Sequence, residues 1–354
     1  MPESSKKKFN YGALVAPILA IGVILYYTLS NPDVKNLGSA IAHFNPTYLI
    51  GTLLCVLIYV CSEAAILQTG CNLFPGEMNY LHSIRASLIG FYYSALTPFS
   101  SGGQPMQVAY MRRWKVPTSA SSSIMVISFY FWHICYGIIS IIAFIVYRSM
   151  LVTSIGLLIV CIIGILISLA CVLGATLIMF NVDFRPLILF FVRLLKKIKV
   201  VINEEKVDHA VNKWIDDFKE AFVILKKYPL DMMKMLLFSA TKIFGYLLIT
   251  YVLYKGFGLS GMSFLSLLLL QALVNSAVAF IPTPGASGAS EGVFFILFGA
   301  IFTDGTALPA MLIWRGFTYY MFLFVGAFMN IIDGVNDFRL RLKKNKPNED
   351  FLPD

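Results

Sequence analysis

Apolar residues run through this chain in stretches of two lengths, and the short ones come in pairs. Runs of about twenty or more cover roughly Tyr11–Leu29, Thr47–Leu67, Ser119–Tyr147, Thr153–Phe180, Met232–Tyr254 and Leu308–Ile332. Each is long enough to cross a hydrocarbon core of ~30 Å as a helix. Between the second and third lies Ile84–Leu96, which stops at Thr97-Pro98-Phe99-Ser100-Ser101-Gly102-Gly103-Gln104-Pro105 before a brief apolar piece ending at Met111. Before the last run, Phe264–Phe280 stops at Ile281-Pro282-Thr283-Pro284-Gly285-Ala286-Ser287-Gly288-Ala289-Ser290 and is followed by Gly292–Phe302. None of these four pieces is expected to cross a bilayer alone.

The pattern therefore predicts an all-α, polytopic integral membrane protein with about six full spans and two broken re-entrant helical hairpins. The two breaks align without a gap as Thr-Pro-x-x-Ser-Gly, Thr97–Gly102 against Thr283–Gly288. Such self-similarity points to a duplicated unit. Residues 1–182 form a first membrane half, 183–230 a basic amphipathic linker, 231–338 a second half and 339–354 a charged tail. In the linker, Val207, Val211, Trp214, Ile215, Phe218, Phe222 and Leu225 recur at helical spacing between charges.

Composition agrees. The 354 residues are 58% hydrophobic and 13% charged, with a mean hydropathy of +0.76, against ~25% charged in a soluble domain. An ordinary soluble enzyme is excluded. The net charge of +9 is assigned to cytosolic loops and anionic lipid, with no nucleic-acid partner. Lys6–Lys8, Arg112, Arg113, Lys115, the run from Arg185 to Lys227 and Arg339–Lys346 fall on one side if the hairpins return to the side they enter from. The other side holds little beyond Lys35, Arg148 and Lys255. Both termini are thus expected in the cytoplasm of a bacterial plasma membrane, with the hairpins entering from opposite faces as an inverted repeat. The six cysteines form no CxxC pair and the four histidines show no ligand spacing. No metal or cofactor is expected.

A helix break at membrane depth leaves backbone groups that only protein or a wet cavity can satisfy. Two related breaks rich in Ser, Thr and Gly point to a substrate site. Each precedes a helix start, where free N–H groups and the dipole favour an anion such as phosphate. Gly102, Gly103 and Gly288 allow close backbone approach, and Pro105 suits a first helical position. Thr97, Ser100, Ser101, Thr283, Ser287 and Ser290 supply hydroxyls, and Gln104 and Pro284 complete the two segments. Intramembrane ionisable residues are functional candidates by default. Glu291 opens the short helix after the second break, and Arg315, deep in the last span, is expected to pair with it. Glu63 and Lys242 lie nearer the inner side, where each has a snorkelling alternative. Trp132, Trp314, Tyr319 and Tyr320 are expected to pack or to sit in interface belts.

Thr97–Pro105 followed by Tyr110 and Arg112-Arg113 resembles the first signature of the lysylphosphatidylglycerol synthase transmembrane-region family. Pro282-Thr283-Pro284-Gly285-x-x-Gly288-x-x-Glu291 and Trp314-Arg315-Gly316 resemble its second. The similarity covers nearly the whole chain. It implies the flippase-like membrane region of the bacterial multiple peptide resistance factor. There, aminoacylated phosphatidylglycerol moves between leaflets, lowering negative surface charge and resisting cationic peptides. The bifunctional members continue into a soluble synthase domain, and this chain ends soon after its last predicted span. No catalytic domain is therefore expected, although a label of phosphatidylglycerol lysyltransferase would follow from the family. Ala286, Ala289 and Ser290 depart from the Gly- or Val-rich second signature, which leaves the lipid open.

The leading expectation is a lipid translocator for an aminoacylated phosphatidylglycerol or a similar anionic or zwitterionic lipid, with membrane phospholipid as its partner. A lipid-modifying lysyltransferase would need a base at the interface, where Glu63 and His82 are the loose candidates. A scaffold would hold a separately encoded synthase through Arg185–Lys227. Oligomerisation is left open. No GxxxxGK motif occurs, so transport would be passive or gradient-driven.

Overall fold

The computed structural model describes residues 37–179 and 226–344, with a few isolated positions at Gly22 and between His209 and Ile224. The expected first span and nearly all of the basic linker lie outside the described residues. Among those described, every regular element is helical. We number the main helices α1 (Thr47–Cys71), α2 (Tyr80–Leu96), α3 (Gly103–Met111), α4 (Thr118–Val146), α5 (Ile155–Met179), α6 (Pro229–Gly256), α7 (Phe264–Val278), α8 (Ala289–Phe298), α9 (Ala307–Arg315) and α10 (Met321–Lys344).

Five helical stretches are long and apolar enough to cross a membrane: α1, α4, α5, α6 and the continuous run Ala307–Ile332. They coincide with five of the six expected spans. Residues of α1 such as Leu49, Ile50, Leu53, Leu54 and Leu57 stand exposed, as do Ile155, Ile159, Ile163 and Leu166 of α5. Among the described residues, the acidic and basic side chains of Glu63, Lys242, Glu291 and Arg315 are buried. Exposed leucines around buried charges fit a lipid solvent, in which an unpaired charge at the surface would be costly.

Local chemistry fixes the short helices. Asn79 caps α2: its Oδ1 accepts the His82 N–H at 2.9 Å, and His82 Nδ1 accepts the Asn79 N–H at 3.4 Å. This cap starts the helix at Tyr80, four residues before the apolar run. Ser263 Oγ accepts the Ser266 N–H at 3.1 Å and caps α7. Helix α2 ends directly at the Thr97-Pro98 pair, because the residue preceding proline is pushed out of the α region, whereas α7 ends at Val278, before Pro282 and the Thr283-Pro284 pair. Thr97 has φ −109°, ψ 146° and Thr283 has φ −101°, ψ 149°. Helix α3 begins at Gly103, so Pro105 occupies the third helical position, still within the turn that needs no N–H.

The most extensive helix contact is α1 on α6, the spans that precede the two hairpins. Small residues permit it. A Cβ on Gly245 would lie 3.1 Å from the Cys55 carbonyl and 2.9 Å from Ile58. The last expected span holds a feature that hydropathy does not register. Gly316–Tyr320 forms a π-helical turn directly after Arg315, and the helix then continues to Lys344, past the start of the expected charged tail.

Candidate functional site

The two breaks fold into the same turn. Pro98–Ser100 and Pro284–Ala286 are single 3-10 turns. The second residue of each is left-handed, Phe99 at φ 54°, ψ 18° and Gly285 at φ 57°, ψ 23°. Ser100 and Ala286 follow at φ 53° and 52°. Ser101 donates from both N (3.2 Å) and Oγ (2.9 Å) to the Pro98 carbonyl. Ser287 does the same to Pro284, at 3.1 and 2.9 Å. The Thr-Pro-x-x-Ser match in the sequence is thus a match in turn and hydrogen bonds, and the backbones part at the serine, Ser101 at ψ −19° and Ser287 at ψ 140°. The two turns pack against each other. Tyr319, from the π turn, joins them: its hydroxyl donates to the Ala95 carbonyl at 3.3 Å, and its ring lies where a Cβ on Gly285 would fall.

Beyond the turns the breaks diverge. At the first, Thr97 Oγ1 donates to Tyr93 O at 2.7 Å and accepts the Gly102 N–H at 2.8 Å. No side chain caps α3, and its first turn holds no acidic residue. Gly103 is required, because a Cβ there would collide with Ser94 of α2. At the second break, Thr283 Oγ1 donates to Ser287 O at 3.0 Å, Ser290 Oγ donates to Ala286 O at 3.0 Å, and Gly288, at φ 91°, turns the chain into α8. The Gly288 N–H donates to Glu291 Oε2 at 2.7 Å. The helix start expected to receive a guest anion here already holds the protein's own carboxylate.

Glu291 and Arg315 pair as expected. Arg315 Nε donates to Glu291 Oε1 at 2.6 Å, with Glu291 fully buried and Arg315 5% exposed. Arg315 Nη2 donates to Gly285 O at 3.1 Å and to Ser287 Oγ at 3.3 Å. The guanidinium carbon lies 4.7 Å from the Tyr319 ring centroid. Nε and Nη2 are therefore engaged within the second break. Nη1 makes no hydrogen bond to a described residue, and Arg315 lines the cavity below.

A second buried pair was not anticipated as a pair. Lys242 Nζ of α6 donates to Glu63 Oε2 of α1 at 2.7 Å, with side-chain exposures of 11% and 6%. Gln107 Nε2, from α3, donates to the other oxygen, Glu63 Oε1, at 3.1 Å. Both charges are buried inside the protein, and Glu63 already has its cation. The ammonium also lies 4.5 Å from the Trp132 ring centroid, 5.4 Å from Tyr59 and 5.7 Å from Phe91. Charge parity was the available signal: two opposite charges within apolar runs of different halves, each without a partner in its own segment.

A cavity of about 480 Å³ connects these parts. Of the expected site residues, Glu63, Ser100, Ser101, Gln104, Ser290 and Arg315 line it, while Thr97, Gly102, Gly103, Thr283, Pro284, Ser287, Gly288 and Glu291 shape the turns without lining it. Lys242, Gln107, Trp132, His133 and Tyr319, which the expected set omits, also line it. Trp132 and Tyr319 thus face the cavity as well as packing. His82 is elsewhere, stacked on Trp114 at 3.3 Å. The size suits a lipid headgroup, since small-molecule pockets run to roughly 300–1,000 Å³. The walls supply hydroxyls, amides, the Glu63–Lys242 pair and the Arg315 guanidinium, whose own partner Glu291 lies behind the wall.

Comparison with known families finds one match: the family model described as Lysylphosphatidylglycerol synthase TM region covers residues 13–326. Comparison with curated proteins and with solved structures found no match.

Proposed function

The chain belongs to the lysylphosphatidylglycerol synthase TM region family, and from that premise we propose that it moves a phospholipid headgroup between membrane leaflets. The observation that carries this reading is one cavity lined by residues of both helix breaks and of both buried ion pairs. The lipid is an aminoacylated phosphatidylglycerol or a similar anionic or zwitterionic one, and its transfer contributes to resistance against cationic peptides. In this reading the headgroup enters the cavity while the acyl chains stay in lipid beside the exposed apolar helix faces. The phosphate meets Arg315 Nη1, the hydroxyl of Ser100 and the uncapped start of α3. Nη1 retains two N–H groups for a phosphate oxygen, and the rest of the guanidinium is held in place by Glu291, Gly285 and Ser287.

The two hairpins then act as inverted copies entering from opposite faces, with both termini cytoplasmic. Alternating access would consist of rocking one half against the other around the packed turns. Lysyl transfer needs a free base, and Glu63 is engaged by Lys242 and Gln107. Translocation requires only that these groups exchange partners.

The test is a leaflet-resolved assay in vesicles containing the purified chain and a panel of labelled phospholipids. Accelerated crossing of at least one phospholipid is the expected result. Rates equal to protein-free vesicles for the whole panel would contradict the proposal.

A further inference from the structure

The two buried cations among the described residues are held in different ways. Arg315 is fixed by three directional hydrogen bonds to Glu291, Gly285 and Ser287. Lys242 has one hydrogen bond, to Glu63 Oε2, and otherwise sits against the faces of Trp132, Tyr59 and Phe91. Ring faces attract any cation without fixing its direction, and tryptophan does so best. An ammonium on a flexible four-carbon stem is a compact point charge that can leave as a unit, unlike a planar guanidinium held at several edges. All three rings, Glu63 and Lys242 line the cavity, so another ammonium has a route to the same place.

We infer that Tyr59, Phe91, Trp132 and Glu63 form a subsite for an alkylammonium group, and that Lys242 is its tethered occupant, displaced when a headgroup brings its own ammonium. This deepens the translocation reading and rests on it for the identity of the visitor. Removing Lys242 without replacement would leave Glu63 buried and uncompensated, a costly state. Exchanging one ammonium for another avoids that cost. The displaced Lys242 can then pair with the phosphate of the same headgroup. A zwitterionic headgroup and the Glu63–Lys242 pair would thus swap partners with no change in net charge. Because Lys242 lies on α6 and Glu63 on α1, while Gln107 holds Glu63 from α3, the swap loosens a link between the two halves at the moment of loading.

The experiment uses propylammonium, the fragment that Lys242→Ala removes. Purified full-length protein in detergent is titrated with propylammonium chloride or sodium chloride at equal ionic strength, and the unfolding midpoint is followed. Lys242→Ala should show a saturable upward shift specific to propylammonium, and the parental protein none. Adding Trp132→Leu should weaken the apparent affinity about fivefold. Equal midpoints for Lys242→Ala in the two salts would overturn the subsite. Should Lys242→Ala not fold, Trp132→Leu in the parental chain is assayed in vesicles. Its rate for phosphatidylethanolamine relative to phosphatidylglycerol should fall about fivefold, and an unchanged ratio overturns the subsite. Vesicles in which the parental chain moves no lipid would refute translocation while leaving the propylammonium result standing.

Discussion

At both breaks a threonine precedes a proline, the next residue is left-handed, and a serine closes the turn onto the proline carbonyl. The second break is then tied by Arg315 and Glu291 within its own half. The first contains no ionisable residue, and its charge arrives through Gln107 from a pair shared between α1 and α6. One turn geometry therefore serves two electrostatic arrangements. The second break has its helix start filled by Glu291 and is built as a fixed wall. The first keeps its helix start uncapped and depends on a contact between halves, as a moving part would. The shared Thr-Pro-x-x-Ser segment supplies the turn, and the residues that follow it set the difference.

The largest effect should come from breaking the second break's pair. Arg315→Leu strands Glu291 at a buried site, and removing one partner of a buried pair costs about 3–5 kcal/mol. Ser100→Ala, which removes an exposed hydroxyl of the first turn, should cost well under about 1 kcal/mol. Unfolding midpoints in detergent compare them directly, and similar losses would erase the distinction between wall and moving part.

Next in size is the shared pair. Glu63→Leu leaves Lys242 with its aromatic contacts alone and should cost on the order of 3 kcal/mol. The double change Glu63→Gln with Lys242→Met, neutral on both sides, should recover most of that loss. A double variant less stable than the sum of its singles would show that charge at this site supports the fold in some other way.

The left-handed position sharpens the comparison further, with opposite signs. Gly285→Ala places a methyl against the Tyr319 ring and should destabilise by about 1–3 kcal/mol. Phe99→Gly relieves a non-glycine residue of its left-handed strain and should stabilise by up to about 1–2 kcal/mol. Matching signs in thermal unfolding would mean that the two turns are not equivalent. Thr97→Val deprives the Gly102 N–H of its acceptor and should cost about 1 kcal/mol. Hydrogen exchange at Gly102 should rise correspondingly.

Much of this architecture was legible as pattern. Hydropathy runs mark the five described spans, and the Thr97-Pro98 pair marks where α2 ends, because proline acts on its neighbour locally. The Arg315–Glu291 pair was legible too, since a buried arginine needs an acceptor and the sequence offers one nearby. The Glu63–Lys242 pair was not assigned, because 179 positions separate its members and each alone fits a snorkelling side chain. The π turn at Gly316–Tyr320 leaves no trace in hydropathy, which it does not alter. The placing of Trp132 and Tyr319 on the cavity depends on helix rotation, which a run apolar on all sides does not specify.

The central claim, that this cavity carries a lipid phosphate past Arg315, is tested most directly by Arg315→Lys in vesicles with leaflet-resolved detection. Lysine keeps the charge and can still reach Glu291, but it lacks the planar group that binds the wall and offers Nη1 to a ligand at the same time. The account predicts folded protein with lipid movement reduced at least about tenfold, the loss of roughly one charged hydrogen bond. Folded Arg315→Lys protein moving lipid at the parental rate would contradict it and leave Arg315 and Glu291 as a structural pair alone.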